Sequence, residues 1–295
     1  MTRPVVAPAS VAMLVMVVWG ATPVMTRLAT DDLEPLLVAV SRTLFAGVVA
    51  APLLFLRREA APPTGRSRWL LLVSSAAGFV VFPVVYTVGQ ERTSAMHGAM
   101  ILAALPLFTG LYAALVGRRR PGGVWLTGCG IALAGEGLII VVRSGSNESA
   151  TLVGDLLVLA AALVVSAGYV AGALLLPRGL SSRATTLWGV FLGAAALAPL
   201  AGVLVAADGV PRGSPEAWGA VLFLALVTSI AGYIGWYWAL DRGGIARIAT
   251  LQFLQPVSGL ILAALVLSER LSPPLAAGAV AIVGGIAIAQ RTGRR

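Results

Sequence analysis

The sequence predicts an all-α membrane protein: ten transmembrane helices arranged as two inverted five-helix repeats, with both termini in the cytoplasm. Three observations point there. The chain is 58% hydrophobic and 11% charged, with a mean hydropathy of +0.92, a balance suited to lipid rather than to a soluble core. Its apolar residues form continuous runs of about 20, the length that crosses a bilayer as a helix, and they lack the alternation of barrel strands. The chain also repeats. Shifted by 150 residues, Glu91-Arg92 falls on Asp241-Arg242, Pro106 on Pro256, and Ala113-Ala114-Leu115-Val116 on the identical Ala263-Ala264-Leu265-Val266. Gly128 and Gly135 fall on Gly278 and Gly285.

The first run, 5–26, follows Arg3, but it is longer than a signal-peptide core and nine similar runs follow, so it reads as a retained span. Asp31, Asp32 and Glu34 separate it from the second run, 36–56, which Arg57 and Arg58 close. The third, 69–89, begins at Trp69, an aromatic suited to the membrane interface. The fourth, 95–116, stops before Arg118-Arg119-Arg120, and the fifth, 125–142, runs from Trp125 to Val142, just before Arg143. A linker over 143–151 divides the first repeat, 1–142, from the second, 152–295. The second repeat holds runs at 156–176, 185–205, 217–240, 248–267 and 271–290, then a short basic tail. Pro23, Pro52, Pro83, Pro106, Pro199 and Pro256 interrupt six spans, each removing a backbone hydrogen bond. Pro106 and Pro256, in corresponding helices, are the hinge candidates. Gly128, Gly135 and Gly137 in the fifth span, with Gly278, Gly284 and Gly285 in the tenth, suit close helix contact, inside the chain or across a homodimer.

All 21 positive charges are arginines, and a cytoplasmic N-terminus puts 15 of them inside. Arg27, Arg92, Arg143, Arg212 and Arg270 then lie outside, and Arg42 lies within the second span. The predicted location is therefore the cell's inner (plasma) membrane, crossed many times. Topology signals and attraction to anionic lipid account for the net charge of +9, so no nucleic-acid partner is expected. Cys129 is the single cysteine, which rules out an intrachain disulfide, and one histidine with one cysteine makes no metal-ligand set. There is no nucleophile paired with a base and no nucleotide-binding motif. Neither an enzyme, a cofactor nor an ATP-driven pump is predicted.

Five helices per half make the first unit start inside and the second outside, so the two are inverted. Each half can then take the other's conformation, and one central site faces the two sides of the membrane in turn. That is the logic of a carrier for small molecules.

Several short motifs bear on the family. The first span ends in Trp19-Gly20-Ala21 followed by Arg27, and Arg42 stands in the second. Gly154-Asp155-Leu156-Leu157 opens the sixth span and Tyr237-Trp238-Ala239-Leu240 closes the eighth. Gln255-Pro256-Val257 lies in the ninth, with Ser268-Glu269-Arg270-Leu271 beyond it. In order and spacing these resemble the ten-helix drug/metabolite transporters of the EamA type, over essentially the whole chain. The resemblance implies export of small metabolites from the cytoplasm, with neutral, aromatic or otherwise hydrophobic amino acids as the favoured cargo. It leaves open a multidrug or sugar-metabolite carrier, or a non-transporting membrane receptor or scaffold. The family often has glutamate before the ninth-helix proline, where this chain has Gln255, so a carboxylate-based coupling role is not expected at that position.

Charge near the bilayer centre costs about 2.5–3.5 kcal/mol on insertion scales, so an ionisable residue kept there needs a partner or a wet cavity. Arg42 and Glu136 qualify, each roughly 9 Å deep at 1.5 Å per residue. They form either an ion pair clamping two helices, or a substrate carboxylate contact and coupling switch. His97, near the outer end of the fourth span, is a structural group or a pH sensor. Trp19 and Tyr169 occupy corresponding places in the two halves, as do Tyr86 and Trp236. Their rings could grip an apolar side chain or an ammonium, or simply pack. Gln252 and Gln255 share one face of the ninth helix and offer amides to a zwitterion or to a neighbouring helix.

Overall fold

The computed structural model describes residues 6–60, 65–118, 122–141, 151–209, 211–244, 248, 251–252, 254–268 and 272–290. Among these, every regular element is helical: α1 (Ala7–Thr30), α2 (Pro35–Leu56), α3 (Gly65–Glu91), α4 (Ala95–Val116), α5 (Gly123–Val141), α6 (Leu152–Arg178), α7 (Ser182–Ala207), α8 (Pro215–Gly243), α9 (Leu254–Leu267) and α10 (Pro273–Gln290). In the described residues seven of these are long and apolar enough to cross a membrane, while α5, α9 and α10 are shorter apolar helices. Several begin before their apolar runs do, because polar residues cap them. Ser94 accepts from His97 N (3.1 Å), Thr151 from Gly154 N (3.0 Å), Ser181 from Ala184 N (2.9 Å) and Ser214 from Ala217 N (3.2 Å). Glu34 does the same for Leu37 N at 2.9 Å.

Prolines shape the helices that reach the centre. Pro23 has no N–H for the carbonyl of Trp19, and α1 breaks at Ala21 before restarting with Pro23 in its first turn. Pro106 leaves the Leu102 carbonyl without its usual donor; a 3-10 turn at Leu102–Ala104 lets Leu105 N serve it instead. Leu251 and Gln252, just before Pro256, are also 3-10. In α3 a π-helical stretch, Ala76–Val81, precedes Pro83, and the Phe79 carbonyl that Pro83 cannot serve accepts the Thr43 hydroxyl at 3.0 Å. Pro52 and Pro199 depart from expectation: both face outward and their helices continue unbroken, whereas the other four prolines lie beside a turn, a 3-10 turn or a π-stretch.

A second π-helical stretch, Phe223–Gly232, lies in α8 at the position 150 residues from the first. It needs no proline. The hydroxyls of Thr228 and Ser229 both donate to the Leu224 carbonyl, the latter at 2.9 Å, in competition with the backbone ladder.

Packing follows the duplication. α2 lies along α7 and α5 along α10, each helix against its own counterpart. α6 packs on α3 and α4, and α1 packs on α8 and α9. The α5–α10 crossing is reciprocal: Gly135 sits against Gly278 and Ala281, and Gly285 against Gly128 and Ala132. A Cβ on Gly285 would fall 2.5 Å from Gly128 O, so those glycines pair within the chain. A Cβ on Gly137 or Gly284 would meet no neighbouring atom within 4 Å among the described residues. Only 22% of the most apolar stretch of α7 is buried, and Leu14, Val48, Phe55, Trp69, Leu265 and Val280 point outward. Such an apolar exterior is one that lipid covers. At one end Asp32 accepts from Ser214 N, tying the α1–α2 turn to α8; at the other, Glu59 pairs with Arg183 and joins α2 to α7.

Candidate functional site

The central site is assembled where the helices lose their regular register. Trp19, at the α1 break, donates its indole N–H to the Thr228 carbonyl of the α8 π-stretch at 3.1 Å. Arg42 projects from the middle of α2 and is 3% exposed. Its Nη2 donates to Thr228 Oγ1 at 3.1 Å and Ser229 Oγ at 3.3 Å, the same hydroxyls that spend their protons on Leu224 O. The π-stretch therefore turns two lone pairs toward the guanidinium. Arg42 Nε and Nη1 have no hydrogen-bond partner among the described residues.

Aromatic rings share the wall of one small cavity with this cation. Trp19 and Tyr169 stack on each other with centroids 5.3 Å apart and planes inclined by 8°. Tyr233 meets Trp19 edge-on at 5.2 Å, and Trp236 lies 5.7 Å from it. What remains is a cavity of about 20 Å³ bounded by Trp19, Thr22, Arg42, Tyr169, Thr228, Tyr233 and Gln255 among others, room for about one water. Tyr169 also walls a larger apolar cleft of about 180 Å³ between α4, α6 and α8, bounded by Thr109, Gly117, Leu174, Trp236 and Leu240. Tyr169 is thus a wall of both spaces, and Trp19 of the central one.

Of the sequence-predicted residues, Trp19, Arg42, Tyr169 and Gln255 line the central cavity together. Gln255 Oε1 has no hydrogen-bond partner among the described residues, and neither amide atom of Gln252, 1% exposed, has one. Trp236 touches Trp19 and lines the cleft. Tyr86 and His97 belong to a separate buried polar cluster where α3, α4 and α6 meet. Tyr86 OH donates to Gln90 Oε1 at 2.8 Å, and Gln90 Nε2 donates to Ser94 O at 2.9 Å. Thr93 Oγ1 donates to Asp155 Oδ1 at 2.6 Å, and His97 Nδ1 lies 3.7 Å from that oxygen. The Glu136 side chain lies outside the described residues, as do the Glu269-Arg270-Leu271 motif, the linker at 143–150 and the terminal arginines. The α5 helix that carries Glu136 packs chiefly on α10, whereas the α2 helix of Arg42 packs chiefly on α7.

Thr228, Ser229 and Tyr233 were missed by the sequence reading. Thr228-Ser229 is a polar pair inside an apolar run, and Tyr233 falls opposite Pro83 at the repeat shift, so both carried a signal. Among the described residues no three His, Cys, Asp or Glu side chains gather as a metal site.

A model of the EamA-like transporter family matches the chain twice, over residues 7–141 and 152–290. The uncharacterized transporter YdeK of Bacillus subtilis is 30% identical over 286 residues, covering 94% of each chain. The probable terminal-alkyne amino-acid exporter of Streptantibioticus cattleyicolor is 28% identical, covering 96% of this chain and 93% of its own. The probable amino-acid metabolite efflux pump of Escherichia coli is also 28% identical, covering 94% and 92%. A crystal structure with 22% identity superposes with a TM-score of 0.65 over 98% of both chains and shares the fold.

Proposed function

Because the chain belongs to the EamA-like transporter family, and is thus a membrane transporter, we propose that it exports amino acids, neutral, aromatic or otherwise hydrophobic, from the cytoplasm by alternating access. The observation that carries the cargo is Arg42: a buried guanidinium facing a cavity with Nε and Nη1 unused. A carboxylate is the group that unused guanidinium N–H donors hold with charge-assisted hydrogen bonds. Gln255 is placed to take an ammonium or amide, and the Trp19, Tyr169 and Tyr233 rings to flank an apolar or aromatic side chain. Two relatives, the probable terminal-alkyne amino-acid exporter and the probable amino-acid metabolite efflux pump, support the reading.

The carrier consists of ten spans in two inverted repeats, 1–142 and 152–295, with both termini in the cytoplasm. The double family match, the paired π-stretches and the reciprocal glycine crossing support the duplication. The arginine distribution supports the orientation. In that orientation the apolar cleft reaches the cytoplasmic end, at Gly117, Leu174 and Leu240. Substrate enters by it and parts the Trp19–Tyr169 stack, because the closed cavity holds about one water and a ligand site needs roughly 300 Å³ or more. Its carboxylate then meets Arg42. Counterflow in proteoliposomes tests the cargo: aromatic and neutral amino acids should exchange, while analogues lacking the carboxylate should neither exchange nor compete. Equal transport of the decarboxylated analogues would overturn the assignment to Arg42.

A further inference from the structure

The buried cluster around His97 plays no part in holding the substrate, yet it contains two ionisable groups out of contact with water. Asp155 opens α6 and is 0% exposed; His97, in the first turn of α4, is 3% exposed. The Thr93 hydroxyl occupies Asp155 Oδ1, while Asp155 Oδ2 and His97 Nδ1 have no hydrogen-bond partner among the described residues. With one proton between them the pair is neutral overall, either imidazolium beside carboxylate or imidazole beside carboxylic acid. Removing that proton leaves a lone carboxylate, and adding a second leaves a lone imidazolium. Either lone charge is strongly disfavoured in a dry seam.

Other charges nearby are already engaged or distant from the seam. Glu91 and Arg92, at the end of α3, are exposed, and the Arg92 guanidinium donates to Val88 O. On α1, Arg27 pairs with Asp31 at 2.9 Å. The α9 helix carries no charged residue, and α5 carries only Glu136, whose side chain lies outside the described residues. The cluster is linked inward as well. Gln90 and Tyr86 continue its hydrogen bonds, and the Tyr86 ring stacks at 5.1 Å on Phe82, a wall of the substrate cavity.

We propose that His97 and Asp155 form a proton-binding site at the outer end of the α3–α4–α6 seam, a gate that closes only with one proton held between them. The pair takes its proton from the outer medium when the seam is open and hydrated. It is neutral and dry when the seam closes, and it returns the proton to the outer medium when the seam reopens. This rests on the transport reading above, but one of its tests does not.

His97 is the chain's single histidine, so imidazole-labelled full-length protein in nanodiscs gives one nitrogen NMR signal set to titrate. The wild type should show one protonation step, which Asp155→Asn moves to lower pH because the imidazolium loses its anion, and which Asp155→Glu retains. The same step in wild type and Asp155→Asn would overturn the pairing. Should Asp155→Asn fail to fold, infrared spectra of His97→Gln supply the reading. A buried carboxylic-acid C=O band that titrates at a different pH from wild type is expected, and an unchanged one overturns the pairing. In proteoliposomes, an acid exterior should accelerate amino-acid export by wild type, and both His97→Gln and Asp155→Asn should lose that acceleration. Acceleration persisting in both variants, or absent in wild type that does exchange amino acids, would overturn the gate. No exchange at all in wild type would overturn the transport reading and the gate's part in transport with it, leaving the NMR step to decide whether the pair binds the proton.

Discussion

Arg42 is the residue around which the site is organised, and its environment explains how a cation is tolerated in an apolar bundle. Two hydroxyls take one of its nitrogens, and Nε and Nη1 have no hydrogen-bond partner among the described residues. Geometry as well as charge is at stake, because an ammonium cannot reproduce the planar fork. Arg42→Lys should therefore fold but bind its amino acid about tenfold more weakly, the loss of one charge-assisted hydrogen bond; titration of the purified protein measures this. Arg42 was legible as a lone charge within a long apolar run. Thr228 and Ser229 were harder to see, because a hydroxyl inside a span usually satisfies itself on its own helix. Only the π-stretch shows that their lone pairs are turned outward.

At the scale of elements, irregular backbone marks the places where side chains reach the centre. Pro106 forces the 3-10 turn at Leu102–Ala104, and both Leu102 and Leu105 wall the cavity. Pro106→Ala restores the missing N–H and favours a straight helix, so it should slow exchange while leaving expression near wild type. Equal exchange rates would remove the hinge. The α5–α10 crossing is a rigid contact: Gly285→Ala places a Cβ 2.5 Å from Ala132 N and Gly128 O, both backbone atoms. Overpacking of this kind costs about 1–3 kcal/mol, measurable as a lower thermal midpoint. Outside the spans, the Ser214 backbone N–H holds the Asp32 carboxyl below its ordinary range. Its folded value lies below the unfolded one of about 3.9, so the bond contributes above that range and is lost as pH falls through the folded value. Acidifying below about pH 4 should thus lower the melting point of wild type more than that of Asp32→Asn. Apolar runs located the helices in the sequence, but helix starts depended on caps such as Ser181 and Thr151, which hydropathy does not weigh. The π-stretch of α8 left no proline to read.

At the scale of the molecule, the 150-residue repeat is visible in matched backbone irregularities and in the pairing of α2 with α7 and α5 with α10. The site departs from that symmetry. Arg42 has Leu192 as its counterpart, and Tyr233 has Pro83. Halves that agree in scaffold and differ in polarity suit a carrier that rocks about a single oriented site. The closed centre was beyond the sequence, because Trp19 and Tyr169 were legible as cavity aromatics while their mutual stacking is a property of one conformation. The most direct measurement is counterflow of a labelled aromatic amino acid in proteoliposomes holding equal amounts of wild type or Arg42→Gln. Saturable exchange in wild type and none above background in Arg42→Gln is the expected result; equal exchange by the two, with both correctly folded, would contradict it.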